Sequence, residues 1–207
     1  MRIHAEIFQM TRRQLEQHLW LRWLAANVVG WSVGLLAGGL AAQVIARIGG
    51  GAVGAIGGLL LAGAVTGAVI GRTQRWALRG LFEQPELERR WLRLSIMGSM
   101  LGASSLLLTW YVLLLGDIGY ALIGAIFGLC FGWAQASPLG RYWGTFAAVW
   151  VIVNVLGGCV CSYVTLQGLP WALPIFCAPG PFLFGGITGA ALLVRARRDQ
   201  ASVDHHQ

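Results

Sequence analysis

Residues 50–71 read GGAVGAIGGLLLAGAVTGAVIG, a run that contains no charged side chain. A helix needs about 20 predominantly apolar residues to cross the hydrocarbon core of a bilayer, so this run is long enough to span a membrane. Its second half places Gly63, Gly67 and Gly71 one helical turn apart. Small residues at this spacing let a neighbouring helix approach closely, as is typical of membrane helices. The run therefore predicts a membrane-spanning helix that packs tightly against another.

Five further apolar runs of similar length lie along the chain, which gives six predicted spans. The spans lie near residues 24–46, 50–71, 94–115, 118–136, 143–166 and 171–194. Composition agrees, because 57% of the residues are hydrophobic and 11% are charged, whereas a soluble domain carries about 25% charged residues. We predict an all-α polytopic membrane protein. Residues 20–194 would form the transmembrane domain, between an N-terminal segment at 1–19 and a C-terminal tail at 195–207.

The arginines fall almost entirely on one side of this predicted topology. All fifteen basic residues are arginine, and fourteen of them lie in the two terminal segments and the loops on the same side, whereas only Arg47 lies on the other. Loops rich in basic residues stay in the cytoplasm. We therefore predict a bacterial inner-membrane protein with both termini cytoplasmic. The same rule accounts for the net charge of +7, so no nucleic-acid partner is needed.

The cytoplasmic segments show helical patterns of their own. Residues 2–19 suit a helix that either lies on the membrane surface or extends the first span. In the loop at 72–93, Pro85 and the charges after it suit the start of a short surface helix. Tryptophans near the span ends predict an interfacial belt, since indole favours the membrane boundary. The belt comprises Trp20, Trp23, Trp76, Trp91, Trp133 and Trp143 at the cytoplasmic ends, and Trp110 and Trp171 at the outer ends.

A pattern of glycines repeats three times at a constant interval of 61 residues. The repeated glycines are Gly63, Gly67 and Gly71, then Gly124, Gly128 and Gly132, and finally Gly185 and Gly189. Gln74 and Gln135 follow the first two sets at the same offset. The odd-numbered spans match more loosely, around Asn27, Ser95 and Asn154. We therefore predict three helical hairpins arranged as parallel repeats. The glycine faces either pack inside the bundle or receive another subunit or a flat, lipid-like ligand.

Hairpins with GxxxGxxxG followed by glutamine and tryptophan, as from Gly63 to Trp76 and from Gly124 to Gln135, resemble those of uncharacterised multi-pass membrane proteins common in phototrophic bacteria. The resemblance covers most of the chain. It implies a six-helix bundle in a membrane-complex setting and carries over no catalytic residue. The third repeat lacks the glutamine and the tryptophan, which weakens the match there.

The predicted spans contain no histidine and no carboxylate, and their four cysteines lack the CxxC spacing of a metal site. All four histidines lie in the terminal segments, and no signature of a serine protease, zinc protease or nucleotide-binding loop occurs. We therefore predict no catalytic residue, no metal site and no enzyme activity. Four prolines, Pro170, Pro174, Pro179 and Pro181, predict a kinked or broken start of the sixth span.

A few polar and aromatic side chains in the spans are candidates for ligand contact. Asn27, Gln135 and Asn154 need hydrogen-bond partners in lipid, which either other helices or a pigment or quinone would supply. Trp133 is a further candidate for contact with a pigment, quinone or lipid. No cofactor is required. The sequence favours a non-enzymatic accessory or scaffold subunit of a membrane complex, with other integral subunits and lipids as partners; the alternative is a small transporter or channel for a neutral or lipid-like solute.

Overall fold

The structure of the protein is a computed structural model that describes residues 2–79, 85–108, 115–167 and 179–204. These residues form six α-helices and contain no β-strand. The helices are α1 (Arg2–Gly49), α2 (Gly51–Ala77), α3 (Pro85–Ser104), α4 (Asp117–Trp143), α5 (Phe146–Gln167) and α6 (Pro179–Asp204). A short 3-10 helix, Ser105–Leu108, extends α3.

The first helix is much longer than a membrane crossing. It contains 48 residues, which correspond to about 70 Å at 1.5 Å per residue. Residues 2–17 and the part of spanning type, His18–Gly49, belong to one continuous helix. This agrees with the interpretation that residues 2–19 extend the first span. The chain reverses at Gly50 and Gly51, whose φ angles of 58° and 49° lie in the left-handed region that glycine adopts without strain. This turn lies where the sequence predicts a short outer connection.

The six helices pack in the order of the chain and close into a ring. Each helix contacts the one before it and the one after it, and α6 returns to contact α1. In a ring of this kind, every helix has one face towards a shared interior and another towards the exterior. The exterior carries many large apolar side chains, among them Leu36, Leu40 and Val53. The fold therefore places a shared core at the centre and an apolar surface outside.

Four of the six helices are long and apolar enough to cross a membrane. Their apolar parts are His18–Gly49, Gly51–Ala77, Ile118–Gly140 and Phe146–Tyr163. The first three turns of α3 carry Arg89, Arg90 and Arg93, which lower its mean hydropathy. The apolar part of α6, Gly180–Arg195, is shorter than a full crossing. Length and composition in the described residues thus indicate a membrane-embedded protein with at least four helices of spanning type.

The helix bounds differ from the predicted spans at the arginine-rich end. The charged segment at Pro85 does begin a helix, but this helix continues into the third span and is not a separate surface helix. An ion pair of 2.8 Å between Glu86 and Arg90, one turn apart, stabilises its start. Further along, α4 passes through Pro138 and ends at Trp143, seven residues beyond the predicted end of the fourth span. Apolar packing on both sides of Pro138 outweighs the lost backbone hydrogen bond.

The predicted third and sixth spans lie only partly in the described residues. Residues 109–114 and 168–178 fall outside them, and with them Pro170 and Pro174. The other two prolines of the predicted break, Pro179 and Pro181, lie in the first turn of α6. Proline is well suited to this position because the first N–H groups of a helix have no intrahelical partner. The part of the predicted kink or break that falls at Pro170 and Pro174 lies outside the described residues.

Candidate functional site

Three tryptophans from α1, α3 and α5 meet at the centre of the bundle. Trp23, Trp91 and Trp150 are at most 1% exposed. Their ring centroids lie 6.5 Å, 5.8 Å and 6.0 Å apart, and their planes are inclined by 60° to 74°. Inclined rings at this spacing place the positive edge of one indole near the negative face of the next. We call these three residues the tryptophan triangle.

The triangle corrects the prediction of an interfacial belt. Trp23 and Trp91 are buried inside the bundle, so the belt assignment is wrong for them. Proximity to a span end could not separate an inward from an outward side chain. Trp76 and Trp133 are 46% and 68% exposed, which is compatible with a position against lipid. Trp110 and Trp171 lie outside the described residues.

Below the triangle, six buried polar side chains form an amide layer. They are Asn27, Gln74, Ser95, Gln135, Asn154 and Thr188, and each is fully buried. One comes from each of the six helices. Asn27, Ser95 and Asn154 each follow a tryptophan of the triangle by one helical turn. Helices α1, α3 and α5 therefore contribute to both the triangle and the amide layer.

The two glutamines connect the layer to the triangle. Gln74 Nε2 donates to Asn27 Oδ1 at 3.0 Å, and Gln74 Oε1 accepts from Trp91 Nε1 at 3.3 Å. Gln135 Nε2 donates to Ser95 Oγ at 2.9 Å, and Gln135 Oε1 accepts from Trp150 Nε1 at 3.3 Å. The glutamines also bond to each other, because Gln135 Nε2 lies 2.9 Å from Gln74 Oε1. Each glutamine therefore joins a polar side chain of the preceding helix to a tryptophan of the following helix.

The third tryptophan has a different partner. Trp23 Nε1 donates to Thr188 Oγ1 at 2.9 Å, and Thr188 Oγ1 donates to the carbonyl of Phe184 at 2.8 Å. This bond joins α1 to α6 across 165 residues of sequence and closes the ring. The hydrogen-bonded layer thus involves all six helices.

The orientations of the two asparagine amides are fixed by the backbone. Asn27 Nδ2 donates to the carbonyl of Trp23 at 2.9 Å, and Asn154 Nδ2 donates to the carbonyl of Trp150 at 2.8 Å. A carbonyl can only accept, so the NH₂ group must face it and the Oδ1 atom must face the other way. Asn27 Oδ1 there meets Gln74, whereas Asn154 Oδ1 meets no donor.

Three uncharged buried polar atoms in the described part of the chain lack a hydrogen-bond partner. They are Asn154 Oδ1, Ser99 Oγ and Trp31 Nε1. Each such group costs about 1–3 kcal/mol relative to a satisfied one. Trp31 and Ser99 each follow an amide-layer residue, Asn27 or Ser95, by one turn. The unsatisfied atoms therefore lie in the same inner faces as the amide layer.

A second aromatic cluster fills the interior on the other side of the amide layer. The Trp31 ring centroid lies 5.3 Å from Phe127, 6.0 Å from Phe131 and 5.4 Å from Phe184. Ile70 completes the cluster. From the triangle through the amide layer to these rings, the described interior is occupied by tightly packed side chains.

The predicted glycines all lie where helices touch inside the chain. A Cβ atom on Gly63 or Gly67 would approach the carbonyls of Ser99 and Ser95 on α3 to 2.6 Å and 2.5 Å. On Gly124 and Gly128 it would meet the carbonyls of Gly158 and Asn154 on α5.

The remaining predicted glycines show the same behaviour. Gly71 and Gly132 lie one turn further along, against Ser95 and Asn154. On α6, a Cβ on Gly185 or Gly189 would lie 3.0 Å from Asn27 Cβ and 2.9 Å from the Trp23 ring, both on α1. We call these three sets the glycine contacts, and in each a glycine-bearing helix meets the next helix around the ring.

The predicted ligand-contact residues separate into two groups. Asn27, Gln135 and Asn154 lie together in the amide layer. Asn27 and Gln135 bond to side chains of other helices, whereas Asn154 bonds only to the Trp150 carbonyl of its own helix. Trp133 lies apart, on the outer surface of α4, with Leu129 nearby at 49% exposed. Among the side chains that the structure describes, no three His, Cys, Asp or Glu residues are grouped as metal ligands.

The three tryptophans of the triangle lie at equivalent positions of a sequence pattern that extends the predicted match between the odd-numbered spans. The pattern Trp-x-x-x-(Asn/Ser)-x-x-Gly begins at Trp23, Trp91 and Trp150. The predicted match between the odd-numbered spans starts at the polar residue and omits the tryptophan one turn before it. Extending that match by four residues towards the N-terminus adds a tryptophan, which with the glycine is identical in all three segments and identifies the triangle. Gln74 likewise belongs to the glycine repeat but was not singled out as a site residue.

Comparison with protein-family models, curated proteins and solved structures finds no match to this chain.

Proposed function

We propose that this protein is a non-enzymatic accessory or scaffold subunit of a larger complex in a bacterial inner membrane. The observation that carries the proposal is the content of the interior. In the described residues its buried polar side chains are all amides or hydroxyls, and the largest of its buried apolar side chains are aromatic rings. Such an interior is built for packing and hydrogen bonding between helices, and it supplies no charged group for proton transfer.

In this proposal the chain crosses the membrane six times as three parallel hairpins. The three glycine contacts support this arrangement, since each joins a hairpin to the next in the same way. The tryptophan triangle supports it further, because each hairpin would contribute one equivalent indole. The two helices with shorter apolar segments, α3 and α6, occupy the same ring as the four of spanning type.

Orientation follows from the arginines. Fourteen of them lie at the end of the bundle that carries the triangle, and Arg47 lies at the other. The positive-inside rule assigns the arginine-rich end, with both termini, to the cytoplasm. Arg22 is typical of this end, because its Nη2 donates to the carbonyl of Trp76 at 2.6 Å and its guanidinium lies 5.0 Å from the Trp76 ring centroid.

The exterior supports an assembly role. Apolar side chains such as Leu36, Leu40, Ile152 and Leu156 are more than half exposed, so lipids or other integral subunits would cover them. A photosynthetic or energy-transducing setting rests on the resemblance to multi-pass proteins of phototrophic bacteria. A bound lipid, quinone or pigment would then lie on the exterior, where Trp133 offers an exposed indole.

Transport of a neutral or lipid-like solute is the competing function. Carriers of charged substrates place ionisable groups near the membrane centre, paired with a partner. None lies among the buried residues of the described interior, so we propose that the protein moves neither ions nor protons.

One pair of experiments tests the scaffold against the transporter. The gene is deleted, and native membranes are solubilised in mild detergent to measure the yield of each complex. We expect one complex to fall in yield and the tagged protein to co-purify with its subunits. Purified protein in liposomes should give no ion or proton flux above empty vesicles. Unchanged yields, together with uptake of a neutral solute, would establish the transporter.

A further inference from the structure

The arginine-rich end of the bundle holds a cation in place between α1 and α2. Arg22 of α1 lies against the last turn of α2, where its Nη2 atom donates to the carbonyl of Trp76 at 2.6 Å. Its guanidinium lies 5.0 Å from the centroid of the Trp76 ring. A guanidinium carries five N–H donors, so one bond to a carbonyl leaves several for another acceptor. Arg22 is therefore fixed in position while it keeps donors for an anion.

Two further arginines lie beside Trp76 on α2. Arg72 precedes it by one helical turn, and Arg79 follows it by three residues, just beyond the C-cap at Leu78. Side chains one turn apart share a face of a helix, and Arg72, Trp76 and Arg79 are all exposed. No carboxylate within the described ranges pairs with either of these two arginines. We call Arg22, Arg72, Trp76 and Arg79 the basic surface.

An apolar surface continues from these arginines towards the other end of the bundle. On α1, Val29 and Val33 follow Arg22 by seven and eleven residues, which places them on the same face, and they are 51% and 50% exposed. On α2, Leu61 precedes Arg72 by the same eleven residues and is 36% exposed. Eleven residues of helix extend about 16 Å, which is close to the roughly 15 Å of hydrocarbon in one leaflet. The arginines and the apolar side chains together have the dimensions of one lipid molecule.

We propose that the basic surface binds an anionic phospholipid, with the phosphate at the three arginines and the acyl chains along the exposed faces of α1 and α2. Planar guanidinium groups bind phosphate oxygens through paired N–H donors, and basic sites between membrane helices are suited to anionic headgroups. A free phosphate would use the arginines alone, whereas a lipid also covers the apolar side chains that continue from them. The inference goes beyond the scaffold proposal, because it requires only that α1 and α2 lie in a membrane.

Native mass spectrometry of the full chain tests the site. The protein is purified in detergent and mixed with equal amounts of phosphatidylglycerol, which is anionic, and phosphatidylcholine, which is zwitterionic, with identical acyl chains. We expect the parent to retain phosphatidylglycerol preferentially. Arg72→Gln and Arg79→Gln should each weaken this binding about fivefold, because a basic residue near an anionic lipid surface contributes about 1 kcal/mol. Equal retention of the two lipids by the parent would overturn the proposal.

Arg93→Gln is the matched control, since Arg93 is an exposed arginine on α3 at the same end of the bundle but outside the basic surface. It should bind phosphatidylglycerol as the parent does. A loss equal to that of Arg72→Gln would show that net charge, and not the basic surface, attracts the lipid, and would overturn the site.

The melting temperature gives a second readout, because a ligand raises the stability of the folded state that it binds. Each variant is measured with and without phosphatidylglycerol. The lipid-dependent rise should be smaller for Arg72→Gln than for Arg93→Gln, even where the two variants differ in stability without lipid. Equal rises would contradict the site.

Two competitors identify the occupant. Inorganic phosphate should not displace the lipid, and a short-chain phosphatidylglycerol should bind more weakly than a long-chain one, since its chains do not reach Val33 or Leu61. Displacement by inorganic phosphate, or equal binding of the short-chain lipid, would refute a lipid as the occupant. Co-purification of a subunit that excludes the lipid and is lost from Arg72→Gln would assign the surface to a protein partner instead.

The outcomes with purified protein are independent of complex yield in the deletion strain. If the lipid preference is absent while deletion still lowers a complex, the inference fails and the scaffold proposal stands.

Discussion

Asn27 and Gln74 are amides in a chain whose surroundings are largely apolar, and they meet each other at 3.0 Å. An amide exposed to hydrocarbon has no water to bond, so its partners must come from the protein. Each bond between helices contributes about 0.6 kcal/mol on average, because the unfolded chain in lipid also finds partners. The hydrogen bonds of the layer therefore add little to the free energy of unfolding. Removing one of its side chains costs more, because the partner that remains is a buried polar group without a hydrogen bond.

Replacement of Gln74 by leucine should destabilise the bundle. The variant removes the acceptor of Trp91 Nε1 and Gln135 Nε2 and the donor to Asn27 Oδ1. Leaving such groups unsatisfied costs about 1–3 kcal/mol each. Gln43→Leu is the matched control, since Gln43 is exposed on α1. Thermal unfolding in nanodiscs, followed by intrinsic fluorescence, should show a lower melting temperature for the first variant alone; equal melting temperatures would contradict the role of the layer.

The glycine contacts operate at the scale of whole helices. At Gly128 the backbone of α4 lies so close to α5 that a Cβ atom would meet the Asn154 carbonyl. Close backbone contact gains dispersion energy between the two helices. In lipid this packing stabilises helix association, because the hydrophobic effect does not drive helices together there. The same contacts hold Asn27, Ser95 and Asn154 in position, because each glycine set packs against one of these polar residues or its neighbours.

Gly128→Ala and Gly39→Ala together test this account. Both substitutions replace a helical glycine, and both gain about 1 kcal/mol in helix propensity. Nothing lies within 4 Å of a Cβ on Gly39, so this variant should be as stable as the parent or more so. At Gly128 the added methyl group forces α4 and α5 apart, which typically costs about 1–3 kcal/mol. Melting temperatures that rise equally for both would show that the glycine is not needed for close contact.

Much of the element scale is readable from the sequence. Length and composition locate four helices of spanning type, and the glycines of the 61-residue interval lie at contacts with other helices. Hydropathy alone could not place the start of α3, where Glu86 and Arg90 begin a helix that continues into the apolar segment. It also could not place Trp23, because the hydropathy of a segment is the same whether a tryptophan near its end faces lipid or the core. The pairing of residues in the amide layer depends on how the helices pack, which the sequence alone does not give.

At the scale of the whole molecule, the ring has two unlike ends. The end that carries the tryptophan triangle also carries the arginines, whereas the Gly50 turn lies at the other. The triangle and the amide layer therefore lie near one end of the bundle, and the described interior changes along its length from mixed aromatic and polar to aromatic. In the orientation proposed from the positive-inside rule, the triangle lies towards the cytoplasmic end.

Cysteine labelling in intact cells tests the orientation. We expect Glu86→Cys, at a side chain 66% exposed, to resist a membrane-impermeant maleimide until the cells are opened. Ile48→Cys, at a residue 79% exposed beside the Gly50 turn, should react from outside. Both variants are made in a background without the native cysteines. Labelling of position 86 from outside would invert the proposed topology.

The bond between Trp23 and Thr188 has a consequence for biosynthesis. The bond from Gln74 to Asn27 forms as soon as the first hairpin is made, whereas Gln74 Oε1 gains its donors only when α3 and α4 follow. The hydrogen-bond acceptor of Trp23, by contrast, is Thr188, which is synthesised 165 residues later. Chains that stop before α6 would display an unpaired indole and an open face at Asn27 inside the membrane. Cellular quality control could recognise that exposed surface, and a truncation after α5 should accordingly be degraded faster than the full chain in a pulse–chase measurement.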